Sequence, residues 1–328
     1  MNKNHDRMSM RTTLIFLLLA IQLGCRNSDT ESLTLNATIA EKQVDVIDSI
    51  ILDDNELSSL ATRLVPNDDG IEILAVSDSS YKIQSVIFEK KSLSKKMFFY
   101  DVAGLVGQNN KSNSQWEAVT ADKDRIFMLA EGSAKISIFD STMKTSEGTI
   151  ELKIPKSHSL YADWDKDPNS RGEGMILLDN GHMLVLKEKN PVLLIEFGPK
   201  GEAAGGFKPG DGVDGKESFP FNRNNNEFVP LKHWELGTNS QSQLSDASDL
   251  SIGPDGKLYV LSDHARRIVA IENVLKPTED KLKVKTAWTL PKKVEKAEGL
   301  AFTPAFEPIV VSDIGSKDKN LFILTALD

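Results

Sequence analysis

"NSRGEGMILLDNGHMLVLKEKNP", from Asn169 to Pro191, holds two short apolar runs, Met175 to Leu178 and His182 to Leu186, on either side of Asp179-Asn180-Gly181. Asn-Gly between apolar runs marks a β-hairpin, because a tight turn needs φ > 0 at its centre. Closing that hairpin sets Glu173 beside Glu188 at its open end. The layout recurs. "SLATRLVPNDDGIEILAVSDSSYKIQSVIF" covers Ser59 to Phe88, and "WEAVTADKDRIFMLAEGSAKISIF" covers Trp116 to Phe139. "SDLSIGPDGKLYVLSDHARRIVAI" covers Ser248 to Ile271, and "AEGLAFTPAFEPIVVSDIGSKDKNLFIL" covers Ala297 to Leu324. Each copy has a short apolar strand, a turn, a strand rich in Val, Ile and Leu, a small or acidic pair, and a third strand.

The stretches that follow supply a fourth strand: "KKMFFYDV" (Lys95 to Val102), "GTIELKI" (Gly148 to Ile154) and "VKTAWTL" (Val284 to Leu290). Four antiparallel strands at a period of roughly 50 residues mark a β-propeller blade. The reading is an all-β, five-bladed β-propeller, with six blades as the alternative; units start at Ser59, Glu117, Glu173, Ser248 and Glu298. The last unit ends at Asp328 after three strands, so a strand within residues 33–52 is expected to complete it and close the ring. Closure removes the open edges that invite aggregation. The propeller is one domain, residues 33–328, with an inserted loop at residues 198–228 rich in Gly, Pro and Asn. Its "DGVDG" does not match an EF-hand calcium loop. Trp116, Trp164, Trp234 and Trp288 lie near strand ends and are expected to pack between blades.

In a hairpin the first residue of one strand faces the last residue of its partner. The expected pairs are Ser59 with Asp78, Glu117 with Glu131, Glu173 with Glu188, Ser248 or Asp249 with Asp263, and Glu298 with Asp313. The innermost strands of a propeller line its channel, so these pairs meet at one mouth as an acidic ring. Carboxylates so crowded take up protons unless cations intervene. Arg171, Lys187, Lys135, Arg266 and Arg267 lie beside the pairs in sequence, backbone N–H groups are a second source of compensation, and a metal is a third. The candidate ligands are Glu117, Glu131, Glu173, Glu188, Asp263, Glu298 and Asp313. Calcium suits such an oxygen-only set. Zinc suits it less, since its sites favour His and Cys, and His182 and His264 do not form a ligand set with the single cysteine.

Hydrophobic content of 40% and charged content of 27% describe a soluble globular domain, and a net charge of −9 argues against nucleic acid as a partner. Lys3, Arg7 and Arg11 precede an apolar run at residues 14–21 that ends in "IQLGC". This resembles a bacterial lipoprotein signal: residues 1–24 removed, Cys25 lipidated, and residues 25–32 a polar tether. Gln22 departs from the Leu usual in that motif. The expected location is the cell envelope, with a lipid anchor as the only membrane contact and the domain facing the periplasm or the exterior as a monomer. The alternative is an ordinary cleaved signal and a secreted protein.

No G-x-S-x-G, H-E-x-x-H, P-loop or dinucleotide fingerprint occurs. The leading motifs "WEAV", "GEGM" and "EGLAF", with the trailing "LAEG", "LKEK" and "VSD", resemble the SdiA-regulated propeller family, and more distantly NHL-repeat and esterase-like phytase propellers. The first resemblance implies five blades, a calcium site and a bacterial envelope location. The acids that match its motifs are Glu117, Glu173, Glu298, Asp263 and Asp313, while Ser59 departs from the pattern. The expected function is a calcium-binding module for an unidentified small-molecule or protein ligand. The phytase likeness implies the alternative, a calcium-dependent phosphoesterase at the channel mouth, with Arg171, Lys187, His264 and Arg266 receiving phosphate.

Overall fold

Short runs of branched and aromatic residues between turn signals become strands, and the strands fold as successive antiparallel meanders. The computed structural model describes residues 39–65, 70–109, 113–213, 215, 217–236 and 244–328. The signal, the tether and Cys25 lie outside the described residues. Among the described residues two strands come first, β1 (Ala40–Gln43) and β2 (Val46–Ile50). The first meander is β3 (Leu57–Leu64), β4 (Ile71–Ser77), β5 (Lys82–Glu89) and β6 (Ser92–Asp101). The second is β7 (Trp116–Ala121), β8 (Arg125–Ala130), β9 (Lys135–Asp140) and β10 (Ser146–Leu152). A short helix, α1 (Tyr161–Asp165), leads to β11 (Arg171–Leu177), β12 (Met183–Lys187), β13 (Leu193–Pro199) and β14 (Glu227–Leu236). Next come β15 (Asp249–Ile252), β16 (Leu258–Ser262), β17 (Arg267–Ile271), the two-residue β18 (Lys281–Leu282) and β19 (Val284–Thr289). β20 (Ala297–Phe302), β21 (Pro308–Ser312) and β22 (Leu321–Leu324) end the chain.

β2 returns to lie antiparallel to β22, with Ile50 opposite Leu321. The N-terminal strand therefore supplies the fourth strand of the last meander, as its missing partner required. Three of the outer edges are paired: β1 runs parallel on β19, and β10 runs parallel on β14 and joins two meanders into one sheet. The innermost strands touch in a closed circuit, β3 to β7, β11, β15, β20 and back to β3. This is an all-β fold of several sheets about one axis, the architecture of a β-propeller.

Each core cluster draws on two neighbouring meanders. Leu129 and Ile136 pack with Met175 and Val185, and Leu60 and Ile73 pack with Ile309 and Ile323. Strands held between two such layers, β4, β12, β16 and β21, are buried along their whole length. Burying each such Leu or Ile contributes about 2 kcal/mol. All four tryptophans are inside this packing.

The Asp179-Asn180-Gly181 turn closes with Leu178 N–H donating to His182 O at 2.9 Å, and only Gly181 has positive φ, at 87°. It is thus a three-residue loop with glycine in the left-handed position, rather than a two-residue primed turn. The inserted segment lies between β13 and β14, inside the third meander. It is pinned at several points: Val213 N–H to Leu177 O (2.9 Å), Asp179 N–H to Asp211 O (2.8 Å), and Phe219 N–H to Asp122 Oδ2 (2.8 Å).

Candidate functional site at the acidic mouth

The ladders of the innermost strands slip at their N-terminal ends. Pairing jumps from Leu57–Ser77 to Ser59–Val76, from Trp116–Ala130 to Ala118–Leu129, from Arg171–Lys187 to Gly174–Leu186, and from Ala297–Ser312 to Gly299–Val311. Each slip is a β-bulge, which leaves one residue unpaired, or two on β11 (Gly172 and Glu173), and re-aims side chains. The unpaired residues include Ser58, Glu117, Glu173 and Glu298. In the fourth meander Ser248 N–H donates to Leu261 O at 2.9 Å while Asp249 also pairs with Leu261, so Ser248 takes the bulge position. The ring position of the first meander is therefore Ser58, not Ser59, and the ambiguity at Ser248 or Asp249 resolves to Ser248.

The trailing acids sit one step behind the bulges instead of directly across from them. Asp78 N–H donates to Glu56 O (3.1 Å), Glu131 N–H to Gln115 O (3.0 Å), Glu188 N–H to Ser170 O (3.2 Å) and Asp313 N–H to Lys296 O (2.9 Å). Asp263 N–H donates to Ser248 Oγ at 3.2 Å. Glu56, Gln115 and Lys296 turn the chain into the bulge with φ of 53°, 55° and 47°.

These acids share one field. Burial first, then Glu131, Asp78, Glu298 and Glu188, push Glu117 up to about 9. Burial and Asp263 push Glu298 up to about 8, although Ser248 donates a hydrogen bond that pulls back. Glu131 and Glu188 each rise to about 7 and Asp78 to about 6, burial leading in all three. Glu173 lies well above the ordinary carboxylate range, through burial and then through Glu117, Glu188, Glu131 and Glu298. The acids from different meanders thus converge at one mouth.

Compensation is thin. Lys189 pairs with Glu188 at 2.7 Å and Lys296 with Asp313 at 3.2 Å, and neither lysine is among the cations expected from the sequence. Arg171 lowers Glu131 through its charge while donating to Trp164 O (2.8 Å) and Asp165 (2.9 Å), Lys187 is buried against Lys189 O, Arg266 donates to Pro291 O (2.9 Å), and Arg267 pairs with Glu41 (2.8 Å). Lys135 and His264 are exposed. Glu173 is 9% exposed, and no donor bonds to its carboxylate among the described residues. Asp78 Oδ1 and Asp246 Oδ1 are buried without a partner. Among the described residues, no three His, Cys, Asp or Glu side chains are already spaced to hold a metal ion.

One residue deeper, the inner strands carry Ser59, Ala118, Gly174, Asp249 and Gly299. They approach closely: a Cβ on Gly174 would lie 2.3 Å from Leu250 N, and one on Gly299 would lie 2.9 Å from the carbonyl carbon of Ser59. Asp249, 2% exposed, sits on this layer. Its carboxylate accepts from Leu250 N–H and Leu300 N–H, both at 2.7 Å, from Ser59 Oγ at 3.4 Å, and from Leu60 N–H. Burial raises this carboxyl and the four donors pull it back. The sequence signal for this plug is a lone acid at a register where the other strands carry Ser, Ala or Gly.

Meanders around an axis, with bulged acids at one mouth, define a β-propeller module. The chain belongs to the SdiA-regulated family, whose model matches residues 109–313. Among solved structures, glutaminyl cyclase from Myxococcus xanthus superposes with a TM-score of 0.51 at 11% identity, over 88% of this chain and 100% of that one. PQQ-bound aldose sugar dehydrogenase from Streptomyces coelicolor gives 0.45 at 12% identity, over 86% and 97%. A catalytically inactive virginiamycin B lyase from Staphylococcus aureus, with quinupristin, gives 0.36 at 11% identity, over 87% and 76%. At 11% identity the likeness to the glutaminyl cyclase is one of fold alone. No curated protein matches the sequence.

Proposed function

We propose that this protein is a five-bladed propeller, one domain over residues 33–328, that binds calcium at the acidic mouth and serves the bacterial envelope as a monomeric ligand- or protein-binding module. The observation that carries the reading is the bulge-driven convergence of Glu117, Glu173 and Glu298 with too few cations to offset them. The donor chemistry fits a hard cation: every group is a carboxylate, and buried oxygens of Asp78 and Asp246 have no partner. Glu117, Glu173 and Glu298 would hold the ion, with Glu131, Glu188, Asp263, Asp313, Asp78 and Asp246 around them. Calcium accepts six to eight oxygens in irregular geometry, whereas magnesium demands an octahedron, so a loosely spaced ring favours calcium. The bound ion would supply positive charge and rigidity.

The phosphoesterase alternative finds little support, because Arg171 and Arg266 donate to backbone carbonyls and Lys187 is buried. The envelope location rests on the sequence alone, with Cys25 as the lipid attachment point and a cleaved, secreted form as the alternative. Metabolic labelling with palmitate, lost in Cys25→Ser, tests it. The calcium reading is tested by calorimetric titration of chelator-treated protein with calcium chloride, and separately with magnesium chloride. Saturable heat with calcium is expected, together with a stabilisation of about 2.7 kcal/mol at a hundredfold excess over Kd. Absence of heat together with an unmoved Tm overturns the reading.

A further inference from the structure

The axis has a second mouth. Past Asp249, a cavity of about 650 Å³ opens at the C-terminal ends of β3, β7, β11, β15 and β20. Val119, Met175, Leu250, Ile252 and Phe302 give it apolar walls. The inserted segment supplies one further side through Gly212, Val213 and Glu217. That wall is fitted closely: a Cβ on Gly212 would fall 2.0 Å from Ile252 Cδ1. No residue of the acidic ring reaches this cavity, because the Asp249 layer lies between them.

We propose that this cavity is a binding site for a neutral small molecule with an apolar body and two or three hydrogen-bonding groups. Its volume falls within the range of ordinary ligand pockets. The hydroxyls of Thr62, Thr120 and Ser251 line it, and no hydrogen bond engages them among the described residues. Arg63, the cation in the wall, is paired with Glu72 at 2.6 Å and donates to Ser141 O, so it presents no free charge to an anion. Glu217 adds a carboxylate that repels one. Free hydroxyls among apolar side chains favour a ligand that is neutral, largely apolar and sparsely polar, since an unpaired buried polar group is costly on either partner. The site is independent of the calcium reading.

The probe for the test is N-phenyl-1-naphthylamine, a neutral aromatic amine whose fluorescence rises in apolar surroundings. Titrated into the full chain, it should bind saturably and one to one. Chelation should leave its affinity within about twofold, whereas Thr120→Trp and Ser251→Trp, which fill the cavity, should weaken it about tenfold or more. Thermal unfolding of each variant establishes that it is folded. Thr62→Val, close in size but without the hydroxyl, should weaken the probe about threefold and serves if a tryptophan variant does not fold. A folded wild type that gives no saturable signal overturns the proposal, as does binding that survives the filling variants. Calcium heat is measured separately, so failure at this mouth is distinguishable from failure at the other.

Discussion

Glu173 and Asp249 lie on neighbouring inner strands, one register step apart, and both are at least nine-tenths buried. Their surroundings differ in one respect. Asp249 receives four donors, three of them backbone amides of inner strands, while Glu173 receives none and faces four other carboxylates. A buried carboxylate with donors holds strands together. One without donors is a charge awaiting a partner. The layers are adjacent because bulges end where the regular ladder begins: the bulge frees Glu173 from the ladder, and regular pairing one step later lets Asp249 span three strands.

The largest effect is expected at the plug. Asp249→Ala leaves the amides of Leu60, Leu250 and Leu300 buried without acceptors, and should destabilise the fold by about 4 kcal/mol. Asp249→Asn keeps one acceptor but turns an NH2 toward existing donors, and should cost about 2 kcal/mol. Urea unfolding midpoints measure both. A loss below about 1 kcal/mol in Asp249→Ala would erase the contrast between the layers.

At the mouth the sign reverses. Glu117→Gln in calcium-free protein should stabilise the fold by about 2 kcal/mol near pH 8, and should weaken calcium binding tenfold or more. The pH dependence follows from the direction of the shifts. Each folded-state value lies above its unfolded value, so this contribution is fully present below the ordinary Glu range. It is lost as pH rises through about 7 for Glu131 and Glu188, about 8 for Glu298 and about 9 for Glu117. The Tm of calcium-free protein should therefore fall between about pH 5 and pH 9, and calcium should flatten the slope. A Tm that does not respond to pH in the absence of calcium means that these acids do not share a field.

The meanders were legible because apolar alternation and turn residues are local signals. So was the closing strand, since a three-stranded last unit needs a partner; it proved to be β2 at Val46–Ile50. Bulges were not legible. An extra residue in one strand leaves the apolar pattern nearly intact, so the pattern alone points to Ser59 rather than Ser58 and sets Glu173 directly across from Glu188. The inserted segment was visible as a loop, but its place inside the third meander and its role as a cavity wall depend on long-range contacts, such as Phe207 N–H to Leu275 O at 3.0 Å. Asp249 was legible as an acid but not as a plug, because its donors come from Leu60 and Leu300, far away in sequence. Proximity in sequence finds only part of the compensation: Arg171 acts on Glu131 and Lys187 feels Glu188, but Lys189 and Lys296 pair with the acids directly, while Arg266 donates to Pro291 O and Arg267 pairs with Glu41.

The smallest effect is expected where the inserted segment meets the third meander, and there a buried carboxylate does have a cation. His182, 3% exposed, holds Glu196 through Nδ1 at 2.6 Å and Glu202 through Nε2 at 2.9 Å. Asn180 Nδ2 lies 3.3 Å from Nδ1, and Glu196 also accepts from Gly205 N–H (2.8 Å) and Gly206 N–H (2.9 Å). Burial pulls the imidazole down, but the hydrogen bonds and charges of the two glutamates outweigh it, and the net shift is upward. A raised folded value means that this contribution is complete below the ordinary histidine range, about 6.5, and is lost as pH rises through the folded value. Glu202 is half exposed, so solvent screens its share, and Glu202→Gln should cost only about 0.5 kcal/mol. Limited proteolysis reads the segment directly: cutting within residues 200–226 should quicken as pH rises past neutrality in wild type, and should start faster and vary less with pH in Glu202→Gln. Equal cutting rates in both proteins across that range would mean that the hydrogen bonds around Glu196 and the buried Phe207 hold the segment without help from the imidazolium.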